Sequence, residues 1–154
     1  MSNSLLNKVF KNQNSSIPIW FLRQSGRHIP EYFQIRKNEE NFINFCLNED
    51  LIIKSTILPL KYYDLDAAII FSDILMIPWA MDRNVQFTKN FGPSLTPMIP
   101  DDTKILKNIS LNSKLEPLRN SISYLRDYLP KSLSLIGFAG APWTLACYMI
   151  EGAG

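Results

Sequence analysis

Histidine is nearly missing from this sequence: His28 is the only one. One imidazole cannot make a metal site, and no His/Cys/acid cluster falls at ligand spacing, so no bound metal is expected. Cysteine is scarce as well. Cys46 and Cys147 lie far apart and form no CxxC pair, which argues against a zinc ribbon or a redox motif and suits a reducing cytoplasm. The six glycines supply no phosphate cradle. Gly137-Phe138-Ala139-Gly140 lacks the remaining glycine of a dinucleotide fingerprint, and no P-loop lysine is present. No apolar run reaches the roughly 18 residues of a membrane span, and Met1–Lys8 lacks the apolar core of a signal peptide. An excess of either charge is also lacking. A net charge of +2 is too balanced for nucleic-acid binding by bulk electrostatics. These absences leave a soluble cytoplasmic protein with no membrane or nucleic-acid partner as the expectation. The 154 residues, 46% hydrophobic and 19% charged, are enough for one globular domain with a real core.

The order of elements points to an α/β fold. Leu5, Leu6, Val9 and Phe10 predict a short helix, followed by a polar loop, with residues 1–16 expected to be mobile. Ile17–Leu22 is apolar and reads as a short strand or an extended lead-in. Pro30-Glu31-Tyr32 opens a helix, with proline at the first position and an acid in the first turn. Asn48-Glu49-Asp50 opens another. Leu51, Ile52, Ser55, Leu58 and Tyr62 fall near one face of it, and Pro59 ends or kinks it. Ala67–Phe71 is apolar on both faces and predicts a buried parallel strand. Residues 74–100 read as a long irregular excursion with a hairpin near Val85-Gln86-Phe87, and 101–108 as a short helix. Leu115, Leu118, Ile122, Leu125 and Leu129 mark an amphipathic helix bounded by Pro117 and Pro130. Leu133–Phe138 predicts a second buried strand, and Pro142 opens a last helix through about Glu151. Strands alternating with helices are the pattern of a parallel sheet. A closed eight-stranded α/β barrel takes about 250 residues, so a chain of this length would supply roughly half of one.

Several residues stand out chemically. Arg23 and Arg27 flank Gly26, with Pro30 just beyond. Guanidinium forks match carboxylates and phosphates, and the glycine and proline favour a loop over a helix with a solvated face. Asp73 directly follows the strand Ala67–Phe71, and in parallel α/β folds the carboxyl ends of strands carry the site. The same position also suits a loop acid or a helix cap. Tyr148, on the last helix, reads by spacing as a packed residue with a satisfied hydroxyl. Phe138 and Trp143 read as core or pocket wall.

Three long segments narrow this further. Pro18-Ile19-Trp20-Phe21-Leu22-Arg23-Gln24-Ser25-Gly26-Arg27-His28-Ile29-Pro30-Glu31-Tyr32 resembles the N-terminal signature of the uroporphyrinogen decarboxylase family. Ala67-Ala68-Ile69-Ile70-Phe71-Ser72-Asp73-Ile74-Leu75 resembles its next block. Gly137-Phe138-Ala139-Gly140-Ala141-Pro142-Trp143-Thr144-Leu145-Ala146-Cys147-Tyr148-Met149-Ile150-Glu151-Gly152 resembles its second signature. Ser25 stands where alanine is usual and His28 where tyrosine is usual. The resemblance implies a single-domain (β/α)8 TIM-type barrel, of which residues 1–154 supply about the first half. It implies a homodimer and the cofactor-free removal of the four acetate carboxyls of uroporphyrinogen III, giving coproporphyrinogen III, a step toward haem. It also implies catalytic roles for Asp73, Arg23 and Arg27, and substrate contacts from Arg23, Gln24, Ser25, Gly26, Arg27, Asp73 and Tyr148. Two alternatives stay open at this stage. One is a corrinoid-linked methyltransferase of the same superfamily; the other is an inactive fragment with an unpaired sheet edge.

Overall fold

A computed structural model describes residues 4–13, 15–22, 24–37, 39–88, 92–99 and 111–153. Arg23 and the helix expected over 101–108 lie outside the described residues.

Helix α1 (Leu5–Phe10) starts at Ser4, whose hydroxyl accepts from the Asn7 amide at 3.4 Å. Ser4 is fully buried, and its hydroxyl also meets that of Ser134 at 2.7 Å, which docks α1 on the second strand of the sheet. Ile17–Leu22 forms no strand. It runs as an extended lead-in, tied by the Ile19 amide donating to the Asp66 carboxylate at 2.7 Å and the Asp66 amide donating to the Ile19 carbonyl at 2.9 Å. Helix α2 (Pro30–Arg36) begins at its proline with Glu31 in the first turn. Its missing N–H falls where helix donors have no internal partner anyway. Helix α3 (Phe42–Cys46) was not expected from the pattern. Asn41 caps it, accepting from the Ile43 and Asn44 amides at 2.9 and 3.1 Å. Helix α4 (Glu49–Ile57) starts at the Asn48 cap and gives way to a 3₁₀ turn over Leu58–Lys61 that contains Pro59.

The central pair of strands is β1 (Ala67–Ile69) and, later in the chain, β4 (Ser134–Ile136). They run parallel, with Ala67 opposite Ser134 and Ile69 opposite Ile136. Between them come α5 (Met76–Ala80), an antiparallel hairpin of β2 (Gln86–Thr88) and β3 (Gly92–Ser94), α6 (Leu111–Lys114) and α7 (Glu116–Tyr128). Helix α5 lies in the stretch read as irregular. Pro78 is tolerated there because it occupies the third helical position, where no intrahelical acceptor is available to an N–H. Helix α8 (Pro142–Glu151) follows β4. The crossover helix α7 and helix α4 cover one face of the sheet, where Ile52, Ala68, Ile70, Leu125 and Leu129 form a continuous core cluster.

Two burial expectations fail. Strand β4 is half-buried along its length rather than buried. One edge is taken by β1, and among the described residues no strand covers the other. Phe138 and Trp143 do not enter the core: they are 40% and 81% exposed. Trp143 sits in the first turn of α8.

Two stability predictions arise from this packing. The Ser55 hydroxyl on α4 is fully buried and has no hydrogen-bond partner among the described residues. Removing an unpaired buried hydroxyl and gaining helix propensity act in the same direction, so Ser55→Ala is expected to stabilise by about 0.5–1.5 kcal/mol. Urea unfolding checks this, and a loss of stability contradicts it. Gly152 ends α8 at φ 84°, and a Cβ there would lie 2.7 Å from the Leu95 carbonyl oxygen. Its own carbonyl accepts from the Leu95 amide at 2.9 Å, joining α8 to the chain after the hairpin. Gly152→Ala therefore meets both a left-handed backbone and a backbone clash, and is expected to cost roughly 1–3 kcal/mol in the same measurement.

Candidate functional site

The site is built at the carboxyl end of β1 and β4. Beyond Ile69, the Ile70 amide still donates to Ile136 in β4 at 2.9 Å, but the Phe71 amide turns instead to the Thr56 hydroxyl of α4 at 2.9 Å. That hydroxyl in turn donates to the Ile52 carbonyl at 2.8 Å. The strand therefore stops where α4 takes over its ladder, and Asp73 follows in the loop.

Asp73 is half-buried. One carboxylate oxygen accepts the Leu75 amide at 2.8 Å, and its carbonyl accepts from Met76 at 3.3 Å, so the residue shapes its own turn into α5. Its other carboxylate oxygen takes no hydrogen bond from the described residues. Burial pushes the Asp73 carboxyl above the ordinary carboxylate range, opposed by the Leu75 N–H. Beneath it is an apolar floor of Ile43, Cys46, Leu75, Met76, Val85 and Leu95. The Cys46 thiol is pushed up to about 12, first by burial and then by the Asp73 charge, with Arg36 opposing.

Tyr148 of α8 is half-buried and packs on the same floor with Leu145, Ile74 and Phe71. The turn before α8 approaches closely. A Cβ on Gly140 would sit 3.3 Å from Ile74 Cβ and 2.9 Å from Leu145 Cγ, so glycine lets the β4–α8 turn lie against the Asp73 loop. Asp73 and Tyr148, far apart in sequence, therefore border one apolar patch.

The arginine stretch comes to the same strand by a different route. Gln24 is buried, and its carboxamide bonds to both Ala67 and Ile69 of β1, at 2.6 and 3.0 Å. The chain then turns, closed by the Ile29 amide donating to the Gly26 carbonyl at 3.0 Å. Arg27 is exposed on this turn. Its charge reaches the buried Tyr32 phenol, which burial pushes up and which the Arg36 and Arg27 charges pull back. Tyr32 packs on Phe71 with ring centroids 5.8 Å apart, two residues from Asp73. The Ser25 hydroxyl is buried and has no hydrogen-bond partner among the described residues. His28 stacks on Tyr63 at 6.4 Å.

Arg36 escaped the pattern. Its guanidinium lies over the Phe42 and Phe45 rings at 5.5 and 5.2 Å and donates to the Glu40 carbonyl at 2.6 Å. An arginine on a short helix gives no sequence signal of such a seat; the aromatics that make it come from α3. Among the described residues no group of three or more His, Cys, Asp or Glu could hold a metal ion, and no helix is long and apolar enough to cross a membrane. A groove of about 430 Å³ on the outer face between α2 and α4 is lined by Ile35, Ile53, Ile57, Leu58 and Tyr128. It holds none of the candidate residues. The Asp73 acceptor and the Tyr148 phenol on one apolar floor, with the Arg27 cation on a turn tied to β1, are instead chemically suited to a ligand with N–H donors and several carboxylates.

Comparison with known proteins identifies the family. The family model described as uroporphyrinogen decarboxylase (URO-D) matches residues 1–154. A curated uroporphyrinogen decarboxylase of Rickettsia felis is 44% identical over 151 residues, covering 97% of this chain and 43% of that protein. The one from Brucella anthropi is 43% identical over 137 residues, covering 89% of this chain and 40% of that protein. The chain thus spans less than half the length of the curated relatives it matches. Among solved structures, a methyltransferase from Methanosarcina mazei superposes with a TM-score of 0.67 at 17% identity, covering 95% of this chain and 44% of that one. At that identity the likeness shows a shared α/β fold, of which this chain forms about half.

Proposed function

Because the chain belongs to the uroporphyrinogen decarboxylase family, we propose that the protein carrying it removes the four acetate carboxyls of uroporphyrinogen III to give coproporphyrinogen III. The reaction proceeds without metal or cofactor, in the cytoplasm, as a homodimer. The observation that carries this reading is the meeting of Asp73 and Tyr148 on one apolar floor, with the arginine turn tied to the same strand.

The substrate chemistry suits these groups. A porphyrinogen presents four pyrrole N–H donors toward its centre and eight carboxylates at its rim. Asp73 has one carboxylate oxygen without a donor among the described residues, so it can accept the pyrrole N–H groups. Arg27, and Arg23 beside it in sequence, supply guanidinium forks for the rim carboxylates. Gln24, Ser25 and Gly26 span the stretch between them, and Tyr148 offers a phenol on the same apolar floor.

In each round a proton adds to a pyrrole ring carbon. The ring, now cationic, accepts the electron pair of the C–CO2 bond as carbon dioxide leaves. A proton then adds to the former acetate methylene, and the ring carbon loses its own. The net change is one proton taken up and one carbon dioxide released per arm. Asp73 holds a fixed negative charge where the ring becomes positive, which costs no reorganisation at that moment. Supplying uroporphyrinogen III anaerobically to the protein and analysing the products by chromatography tests the reading. Coproporphyrinogen III is the expected product, and an unchanged eight-carboxylate pool rules the activity out.

A further inference from the structure

The substrate contacts implied by resemblance include Gln24, and its side chain is bonded to β1 instead of facing a ligand. Strand β1 has two edges. The Asp66 carbonyl and the Ile70 amide bond to β4, and the Ala67 carbonyl and Ile69 amide therefore point to the opposite edge. No strand pairs there among the described residues. Instead the Gln24 Nε2 donates to the Ala67 carbonyl at 2.6 Å, and Gln24 Oε1 accepts from the Ile69 amide at 3.0 Å. In a parallel ladder one residue donates to position i−1 of its neighbour and accepts from position i+1. The Gln24 carboxamide reproduces that bridge around Ala68, with a side-chain amide in place of a peptide. Its orientation is fixed by chemistry, since a carbonyl needs the donor end and an amide N–H the acceptor end. Gln24 is only 5% exposed, and Ala67 and Ala68 beneath it are fully buried.

We propose that the Gln24 side chain is a positioning group: its carboxamide substitutes for a strand on the free edge of β1 and locks the arginine turn to the strand that leads to Asp73, leaving the backbone of Gln24 to line the cleft. One donor and one lone pair of the carboxamide are committed to β1, and burial at 5% exposure holds the side chain there. Arg27 is three residues from one end of this clamp, and Asp73 is four residues past the other. The clamp itself stands on geometry; its consequence for a polycarboxylate ligand rests on the decarboxylase reading.

Two variants of the full chain test it. Gln24→Met keeps the volume and removes both bonds. Gln24→Glu keeps the acceptor for Ile69 but sets a carboxylate oxygen against the Ala67 carbonyl, and regains a donor when protonated. Amide hydrogen exchange is followed at Ile69 and Ile29, together with the affinity for uroporphyrin, a stable eight-carboxylate macrocycle, by fluorescence titration. In Gln24→Met, exchange at both amides is expected to quicken by roughly tenfold or more, and uroporphyrin to bind about tenfold more weakly per folded molecule. In Gln24→Glu, both defects are expected at neutral pH and recede as the pH falls. Unchanged exchange at Ile29 in Gln24→Met overturns the clamp. Faster exchange with unchanged affinity overturns the positioning role and leaves Gln24 a matter of stability alone. If the unmodified chain binds no uroporphyrin, the decarboxylase reading fails, while exchange still decides whether Gln24 holds the turn.

Discussion

Asp73→Asn is expected to lower kcat by roughly 10²–10³-fold, the loss seen when one preorganised electrostatic partner of a developing charge is removed, while making the protein more stable. The two effects have opposite signs for one reason. Burial on the floor containing Cys46 and Leu75 raises the Asp73 carboxyl above its ordinary value of 3.8. A carboxyl whose folded-state value is raised favours folding when protonated, and that contribution is lost as pH rises through the folded value. At neutral pH the ionised carboxylate therefore costs stability, and a neutral amide escapes the cost. Asparagine also keeps an oxygen to accept the Leu75 amide, so the turn into α5 survives. Paired activity and thermal-unfolding measurements check this. Near-normal activity refutes the charge-stabilising role, and a lower Tm refutes the burial argument.

The same shift gives a pH signature. If the ionised form is the working one, activity falls on the acid side through a value higher than that of an ordinary aspartate, while the stability contribution of this residue moves the other way. A protein that gains stability and loses activity over one acid limb carries both effects of a single buried carboxylate. Asp73→Asn should abolish the stability part of that limb.

Much of this arrangement is legible in the sequence because single residues dictate it. The cap Asn48 and the first-turn prolines Pro30 and Pro142 act over a few neighbours, and the elements start where they stand; the apolar run Ala67–Phe71 marks the start of β1, which ends at Ile69. Asn41 carries the same signal as Asn48, yet α3 has only five residues, too few for a period to show. Pro78 gave the opposite error. A proline suggests a break, but in the first turn of α5 it costs no hydrogen bond. The exposure of β4 and of Trp143 could not be read, because burial depends on what lies across from a strand or helix and not on its own composition. The site divides in the same way. The type and end-of-strand position of Asp73 are visible in sequence. The clamp of Gln24 on β1 spans 43 residues and needs the fold to appear.

Arg27→Ala is expected to cost roughly 2–5 kcal/mol in kcat/KM, the range for truncating one partner of a desolvated, hydrogen-bonded charge pair. Its effect on folding should stay within about 0.5 kcal/mol, because the side chain is exposed and no carboxylate among the described residues pairs with it. A cation held on a turn by a buried neighbour, yet without an internal anion, is poised for an external one. Arg27→Lys separates charge from shape: an ammonium keeps the charge but cannot present two parallel donors, so it should recover only part of the loss. The four sequential decarboxylations add a further discrimination. If Arg27 grips a carboxylate that is never removed, its loss slows all four steps alike. If it grips an acetate about to leave, the penalty varies between steps and partly decarboxylated intermediates accumulate unevenly. Unchanged kcat/KM in Arg27→Ala refutes the pairing, and a variant that unfolds refutes the claim that this arginine is spare in the fold.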